Sequence, residues 1–209
     1  MPDESPLHIG ACPFCDRDKT RAYLLHEGRD FYIVADFAPV AEAHILLIPN
    51  RHYPHLAALP AALETEFQDL KAHIGDFVRE HYGKLTFWEN GVFGQSVPHA
   101  HLHTLSVNMD AGLIAQHGTP VQALSDLRNH HAGNDSHYFL VEHAGVGRIM
   151  PPDPQIYWSI ISDAKARNGG TWQYTAAERR IHGRAQVEAL IQRWRRHHPE
   201  RVMDAHQSK

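Results

Sequence analysis

Gly94-Gln95-Ser96-Val97-Pro98-His99-Ala100-His101-Leu102-His103-Thr104-Leu105 alternates imidazoles with apolar side chains through its second half. In an extended chain successive side chains point to opposite sheet faces, so His99, His101 and His103 share one face while Ala100 and Leu102 turn toward the core. At about 3.3 Å per residue the outer two stand roughly 13 Å apart, too far for one metal ion to take all three unless the strand is broken. At least one imidazole is therefore left free for chemistry. The chain carries 19 His in 209 residues, so an accidental His-x-His-x-His must be weighed. Accident does not also supply the flanking Gly-Gln-Ser or the blocks upstream.

Those blocks are Asp36-Phe37-Ala38-Pro39 and His44-Ile45-Leu46-Leu47-Ile48-Pro49-Asn50-Arg51-His52. Taken in order with the His run, they resemble the signature of the histidine triad (HIT) superfamily of nucleotide hydrolases and nucleotidyl transferases, over roughly residues 10–107. The resemblance implies that His101 attacks the α-phosphorus of a nucleotide and forms a nucleotidyl-histidine. It gives Gln95 and Ser96 to the phosphate and leaving group, His103 to the phosphate, Asp36 to the ribose hydroxyls and Phe37 to the base pocket. Asn90 is the counterpart of the family's Asn, in a segment, Trp88-Glu89-Asn90-Gly91-Val92-Phe93-Gly94, that is shorter and bulkier than in relatives. Transferase branches usually end the triad in Gln, so His103 points to the hydrolase side. The substrate classes implied are a nucleoside phosphoramidate or other mononucleotide conjugate, or a dinucleoside polyphosphate; a two-fold homodimer through helix and strand edges is implied as well.

The formal charge of −4 offers no electrostatic case for nucleic acid or a membrane surface. The first residues lack a basic start and apolar run, and no stretch of 18 apolar residues occurs, so a cytoplasmic location is expected. The two cysteines, Cys12 and Cys15, form Cys-Pro-Phe-Cys, which reads as half of a zinc site or as a redox dithiol. A thioredoxin-type pair opens a helix after a strand; this pair precedes the first expected strand, and zinc leads. A closed tetrahedral site needs two further ligands. The resemblance supplies them as His52 and His99, making a structural zinc ion the expected cofactor.

Strands are expected over Arg21–Glu27, Phe31–Asp36, His44–Pro49, Leu85–Glu89 and Pro98–Val107, with a helix over Ala61–Tyr82 whose apolar residues recur at helical spacing. That order gives an α+β class: a HIT-like antiparallel sheet with covering helices over residues 1–108, followed by a C-terminal α/β extension over 109–209. In the extension, Thr119-Pro120-Val121-Gln122 reads as the capped start of a short helix to about Arg128. A hairpin is expected around Ala144-Gly145-Val146-Gly147, then a helix over Gln155–Arg167, a last helix opening at the capping box Thr175-Ala176-Ala177-Glu178, and a disordered tail after Pro199. Arg179, Arg180, Arg184, Arg193, Arg195 and Arg196 on that last helix are read as a solvated face rather than an anion site. Trp172 and Tyr174 are read as core aromatics before base-stacking ones.

A neutral imidazole is a competent nucleophile toward phosphorus, and the phosphoramidate it forms is labile to water. One ring nitrogen must face phosphorus while the other donates, most simply to a backbone carbonyl. Two other classes stay open: a zinc hydrolase in which triad histidines hold a catalytic metal, and a nucleotide-binding or zinc-stabilised interaction module without turnover. His44, His55, His73 and His81 are read as structural or surface residues.

Overall fold

The computed structural model describes residues 12–91, 93–134 and 137–199; the tail expected after Pro199 lies outside the described residues. Its centre is an eight-stranded sheet in the order β1-β2-β3-β5-β4-β7-β8-β6, antiparallel throughout. The strands are β1 (Leu24–Glu27), β2 (Phe31–Ala35), β3 (Ile45–Pro49), β4 (Thr86–Glu89), β5 (Leu102–Leu105), β6 (Thr119–Pro120), β7 (Phe139–His143) and β8 (Val146–Met150). The helices are α1 (Arg17–Thr20), α2 (Glu64–Tyr82), α3 (Ala111–Ala115), α4 (Leu124–Asn134), α5 (Pro154–Asn168), α6 (Ala176–His182) and α7 (Arg184–His197). None is long and apolar enough to cross a membrane. Helices over an antiparallel sheet make the α+β class.

One face of the sheet buries Phe31, Ile33, Ile45, Leu47, Phe87 and Leu102 against Phe67, Ile74 and Phe77 of α2 and Val187, Leu190 and Trp194 of α7. The period-two alternation then sends Tyr32, Val34, Leu46 and Ile48 to the opposite face, where Phe14 and Cys12 cover them. Farther along that second face Trp88, Leu105, Phe139 and Val141 pack against Ile160 and Ala164 of α5 and against Trp172. Between these two patches the second face lies open. α2 ends where Gly83 takes φ +80°, a left-handed cap that a side chain would strain.

Several expected boundaries move. The strand over Pro98–Val107 contracts to β5, because His99 N bonds Val97 O at 2.8 Å in a turn and Ala100 N is diverted to Tyr53 O at 2.6 Å. The expected helix at Thr119 is the edge strand β6, paired to Ile149 and Arg148. Proline suits an outermost strand, where its missing donor breaks no ladder. The true start of α4 is held by the Asp126 carboxylate, which accepts from Gln122 N and Ala123 N.

The last helix is two. Its capping box forms as expected, but α6 ends at Gly183, where a Cβ would stand 2.5 Å from Pro39 Cγ, and α7 begins at Arg184. The sheet also runs straight across the boundary expected at residue 108, since β4 pairs with β7 in register from Thr86↔His143 to Glu89↔Leu140.

Candidate functional site

Cys12 and Cys15 sit on a tight turn in which Cys15 N and Asp16 N both reach Cys12 O at 3.2 Å. The turn is fixed to the sheet by Tyr32, whose hydroxyl donates to Phe14 O at 2.7 Å. Facing it, His99 Nδ1 lies 3.4 Å from Cys12 Sγ and 3.5 Å from Cys15 Sγ, and His52 Nδ1 lies 3.4 Å from Cys15 Sγ. Bonds of about 2.3 Å to sulfur and 2.05 Å to nitrogen at a tetrahedral angle place S and N about 3.6 Å apart, so the spacing fits one four-coordinate ion. The His99 ring is already oriented as a ligand, because its Nε2–H donates to Pro49 O at 2.9 Å and leaves the Nδ1 lone pair toward the sulfurs. Burial holds His99 down to about 4, so the ring is neutral. Burial, then the Cys12 side chain, push the Cys15 thiol up to about 11, the behaviour of a thiol pair that needs a cation before both sulfurs can ionise.

Two residues on, His101 enters the open part of the second face. Its Nδ1 is 2.7 Å from His99 O, so Nδ1–H donates to the backbone carbonyl and Nε2 carries the lone pair. Gln95 Nε2 reaches the same carbonyl at 3.1 Å and Pro54 O at 3.2 Å, so this side chain braces the loop. His103 stands with its ring 4.6 Å from that of His101. In register it sits between Leu46 and Trp88, which share its face.

The proton positions around His103 follow from a backbone donor. Val40 N–H points at His44 Nδ1, 3.2 Å away, so Nδ1 accepts and the His44 proton is on Nε2. That Nε2–H then donates to His103 Nδ1 at 2.9 Å, with Asp36 Oδ2 3.5 Å away. His103 must therefore carry its own proton on Nε2, a buried atom with no partner among the described residues. Burial lowers the pKa of His44, His101 and His103 alike, so the trio is neutral near pH 7. The result is a lone pair on His101 beside a spare donor on His103.

A cleft of about 520 Å³ opens over these rings, lined also by Phe14, Asp36, Phe37, Asn90 and Ser96. Asp36 Oδ1 accepts from Ala38 N at 2.6 Å, and Asn90 Oδ1 accepts from Trp88 Nε1 at 2.7 Å. Of the residues singled out in the sequence, Asp36, Phe37, Asn90, Ser96, His101 and His103 thus meet at the cleft, Gln95 supports it from behind, and Cys12, Cys15, His52 and His99 form the cluster beside it.

Other residues were not foreseen. His44 is part of the hydrogen-bonded chain rather than packing alone; its two-residue offset from Leu46 was the signal that places it on the cleft face. The extension contributes Tyr157, Trp172, Arg179 and Arg180 to the lining. The solvated-face reading suits Arg184, which pairs with Glu188 on the surface. It fails for Arg179, which reaches Ala38 O, and for Arg193, which reaches His81 O.

A sequence model of the HIT domain matches residues 18–109. No curated protein matches the sequence. Among solved structures the chain is similar to a hypothetical histidine triad nucleotide-binding protein from Sulfolobus tokodaii, at 22% identity over 46% of this chain and 68% of that one, TM-score 0.41. It is similar to a Zn-bound histidine triad family protein from Mycobacterium smegmatis, at 25% identity over 46% and 75%, TM-score 0.42. A HIT family hydrolase from Clostridium thermocellum aligns at 25% identity over 47% and 91%, TM-score 0.39.

Proposed function

We propose, from the match of the HIT domain model to residues 18–109, that the chain is a hydrolase or nucleotidyl transferase acting on a nucleotide α-phosphate, with His101 as nucleophile. The observation that carries the reading is the 2.7 Å contact of His101 Nδ1 with His99 O, which leaves Nε2 of a neutral ring as the attacking lone pair in the cleft. Attack forms a bond from Nε2 to phosphorus, and the leaving group departs with the electron pair of the broken bond, taking its proton from water at the open rim. The positive charge left on the ring stays close to the His99 carbonyl. Water then attacks phosphorus, giving a proton to the hydroxide left at the rim, the P–N bond breaks with its electron pair returning to Nε2, and neutral His101 is restored with release of a nucleoside monophosphate.

In this reading His103 Nε2–H donates to a phosphoryl oxygen, gaining in the complex the acceptor it otherwise lacks. Asp36 takes the ribose hydroxyls, Phe37 and Asn90 border the nucleoside, Ser96 sits by the leaving group and Gln95 holds the carbonyl on which His101 depends. Candidate substrates are nucleoside phosphoramidates, other mononucleotide conjugates and dinucleoside polyphosphates. A zinc ion on Cys12, Cys15, His52 and His99 belongs to the same proposal, as a structural ion that ties the N-terminal turn to the strand bearing the triad. So does a two-fold dimer, read by light scattering; since α7 already lies on Phe77 of α2, the dimer surface would not be that flank.

The metal-hydrolase reading has one observation in its favour: Asp36, His44 and His103 offer ligand atoms within 4.8 Å of one another. One experiment separates the two. Wild type and His101→Ala are incubated with adenylyl phosphoramidate, diadenosine tetraphosphate and a nucleotide sugar, with and without chelator, and analysed by intact mass. A nucleotidyl adduct on the wild type alone, still formed with chelator present, supports the nucleophile; turnover that needs a metal and survives in His101→Ala supports the alternative.

A further inference from the structure

Phosphate groups entering the cleft bring negative charge, and the neutral imidazoles bring none to offset it. Among the described residues lining the cleft only Asp36, Arg179 and Arg180 are permanently charged, and both cations come from α6, outside the segment that matches the HIT domain. Arg179 is occupied: Nε donates to Ala38 O at 3.0 Å and a terminal nitrogen to Tyr174 O at 2.7 Å, which pins α6 against the loop after Asp36. Arg180 is differently placed. Its guanidinium lies over the Phe37 ring, 4.8 Å from the centroid, a contact that orients the planar head without neutralising it. The carboxylate on its own helix, Glu178, is taken up by Thr175 in the capping box.

Past Phe37 and Arg180 the cleft adjoins a second hollow of about 330 Å³, lined by Phe14, Lys19, Thr20 and Tyr23 as well. Lys19 is already paired with Asp16 at 3.2 Å, so Arg180 is the cation at this aromatic floor without a carboxylate partner among the described residues, in a protein whose net charge is −4. On the extension's side of the main cleft, the buried Trp172 indole N–H also has no acceptor among the described residues. A donor left over in a buried wall is satisfied at low cost by a ligand oxygen.

We propose that the C-terminal extension completes the binding site within the same chain, with Arg180 as the residue that recognises a second phosphate group, distinct from the phosphate facing His101. This rests on the cleft being a nucleotide site. The group could continue the 5′ phosphate chain or be borne on the ribose, and the probes separate these. Equilibrium binding is measured for AMP, ATP, adenosine 2′,5′-bisphosphate, adenosine 3′,5′-bisphosphate and inorganic tripolyphosphate, on wild type, Arg180→Ala, Arg180→Lys and the surface control Arg184→Ala.

At least one nucleotide carrying more than one phosphate should bind wild type about 10-fold tighter than AMP, as expected for a charge-assisted contact, and Arg180→Ala should abolish that gain. Arg180→Lys should restore part of it and Arg184→Ala should match wild type. ATP as the favoured probe assigns a polyphosphate chain, and a bisphosphate assigns a ribose phosphate. A gain absent for every probe, or one that survives in Arg180→Ala, overturns the proposal. Failure of AMP to bind wild type counts against the nucleotide reading alone; tripolyphosphate must then bind wild type and weaken about 10-fold in Arg180→Ala for Arg180 to stand as an anion site.

Discussion

His101 Nδ1 stands 2.7 Å from the carbonyl oxygen of His99, the residue whose own ring faces Cys12 and Cys15. The proposed metal cluster and the proposed nucleophile are therefore joined through one residue. Zinc removal should act on both. Metal analysis of purified protein is expected to give one zinc per chain, and Cys12→Ser to lose it, with a melting temperature lower by roughly 10 °C for a loss of a few kcal/mol. Because the His99 carbonyl shifts with its ring, kcat should fall as well. A Cys12→Ser protein with full zinc and unchanged melting would remove the ion from the mechanism.

In the proposed reaction His44 acts on the phosphate only through His103, by fixing which nitrogen holds the proton. Replacement by Ala frees the His103 tautomer and should lower kcat about 10-fold with a smaller change in KM, while Gln, able to accept from Val40 N and donate to His103, should recover most of it. Equal losses in both variants, or a loss confined to KM, would show a packing role instead.

Glu89 is fully buried on β4, accepting from Leu56 N at 2.7 Å and from the Tyr138 hydroxyl at 2.8 Å. Burial raises its carboxyl from an ordinary 4.5 to about 8. The folded state thus holds a proton the unfolded chain has released, so this group's stabilisation is complete below pH 4.5 and is lost as pH climbs to about 8. The slope is at most about 1.4 kcal/mol per pH unit. Across about pH 5 to 8.5 the melting temperature of wild type should decline relative to Glu89→Gln, whose amide oxygen can accept from Leu56 N and whose NH2 can donate to the Tyr138 oxygen, without a charge to ionise. Parallel curves would mean that Glu89 does not titrate in this window.

Trp194 of α7 meets the ring of Phe77 at 4.7 Å and that of His73 at 5.4 Å, and is only 2% exposed. Trp194→Ala should cost about 3–5 kcal/mol in denaturant unfolding. A change under about 1 kcal/mol would mean that α7 does not dock on α2 in solution.

The His run and its upstream blocks were enough to place the cleft, because two-residue alternation is a local property: Asp36, His44, Leu46, His101 and His103 reach one face by counting. Proton positions were half legible. The need for a carbonyl behind His101 could be argued, but that it belongs to His99 depends on a turn that breaks the strand early. Arg179 and Arg180 read as solvated in the sequence because nothing in α6 itself records that Pro39 and Ala38 lie against it, and a charged helix face reads so until its neighbour is known. Thr119-Pro120 misled because the same pair suits a helix start and a sheet edge, and only the partner strand β8 decides between them.

Lastly, the ladder between β4 and β7 sets what can be cut from this molecule. Residues 18–109 taken alone would end the sheet at β4, baring the backbone donors and acceptors that Phe139–His143 now satisfy, along with the apolar flank of Trp88. An uncovered strand of that kind invites a neighbouring molecule to zip onto it. Residues 18–109 in isolation would thus be prone to self-association, and the later hundred residues serve as their built-in seam as well as a wall of the cleft.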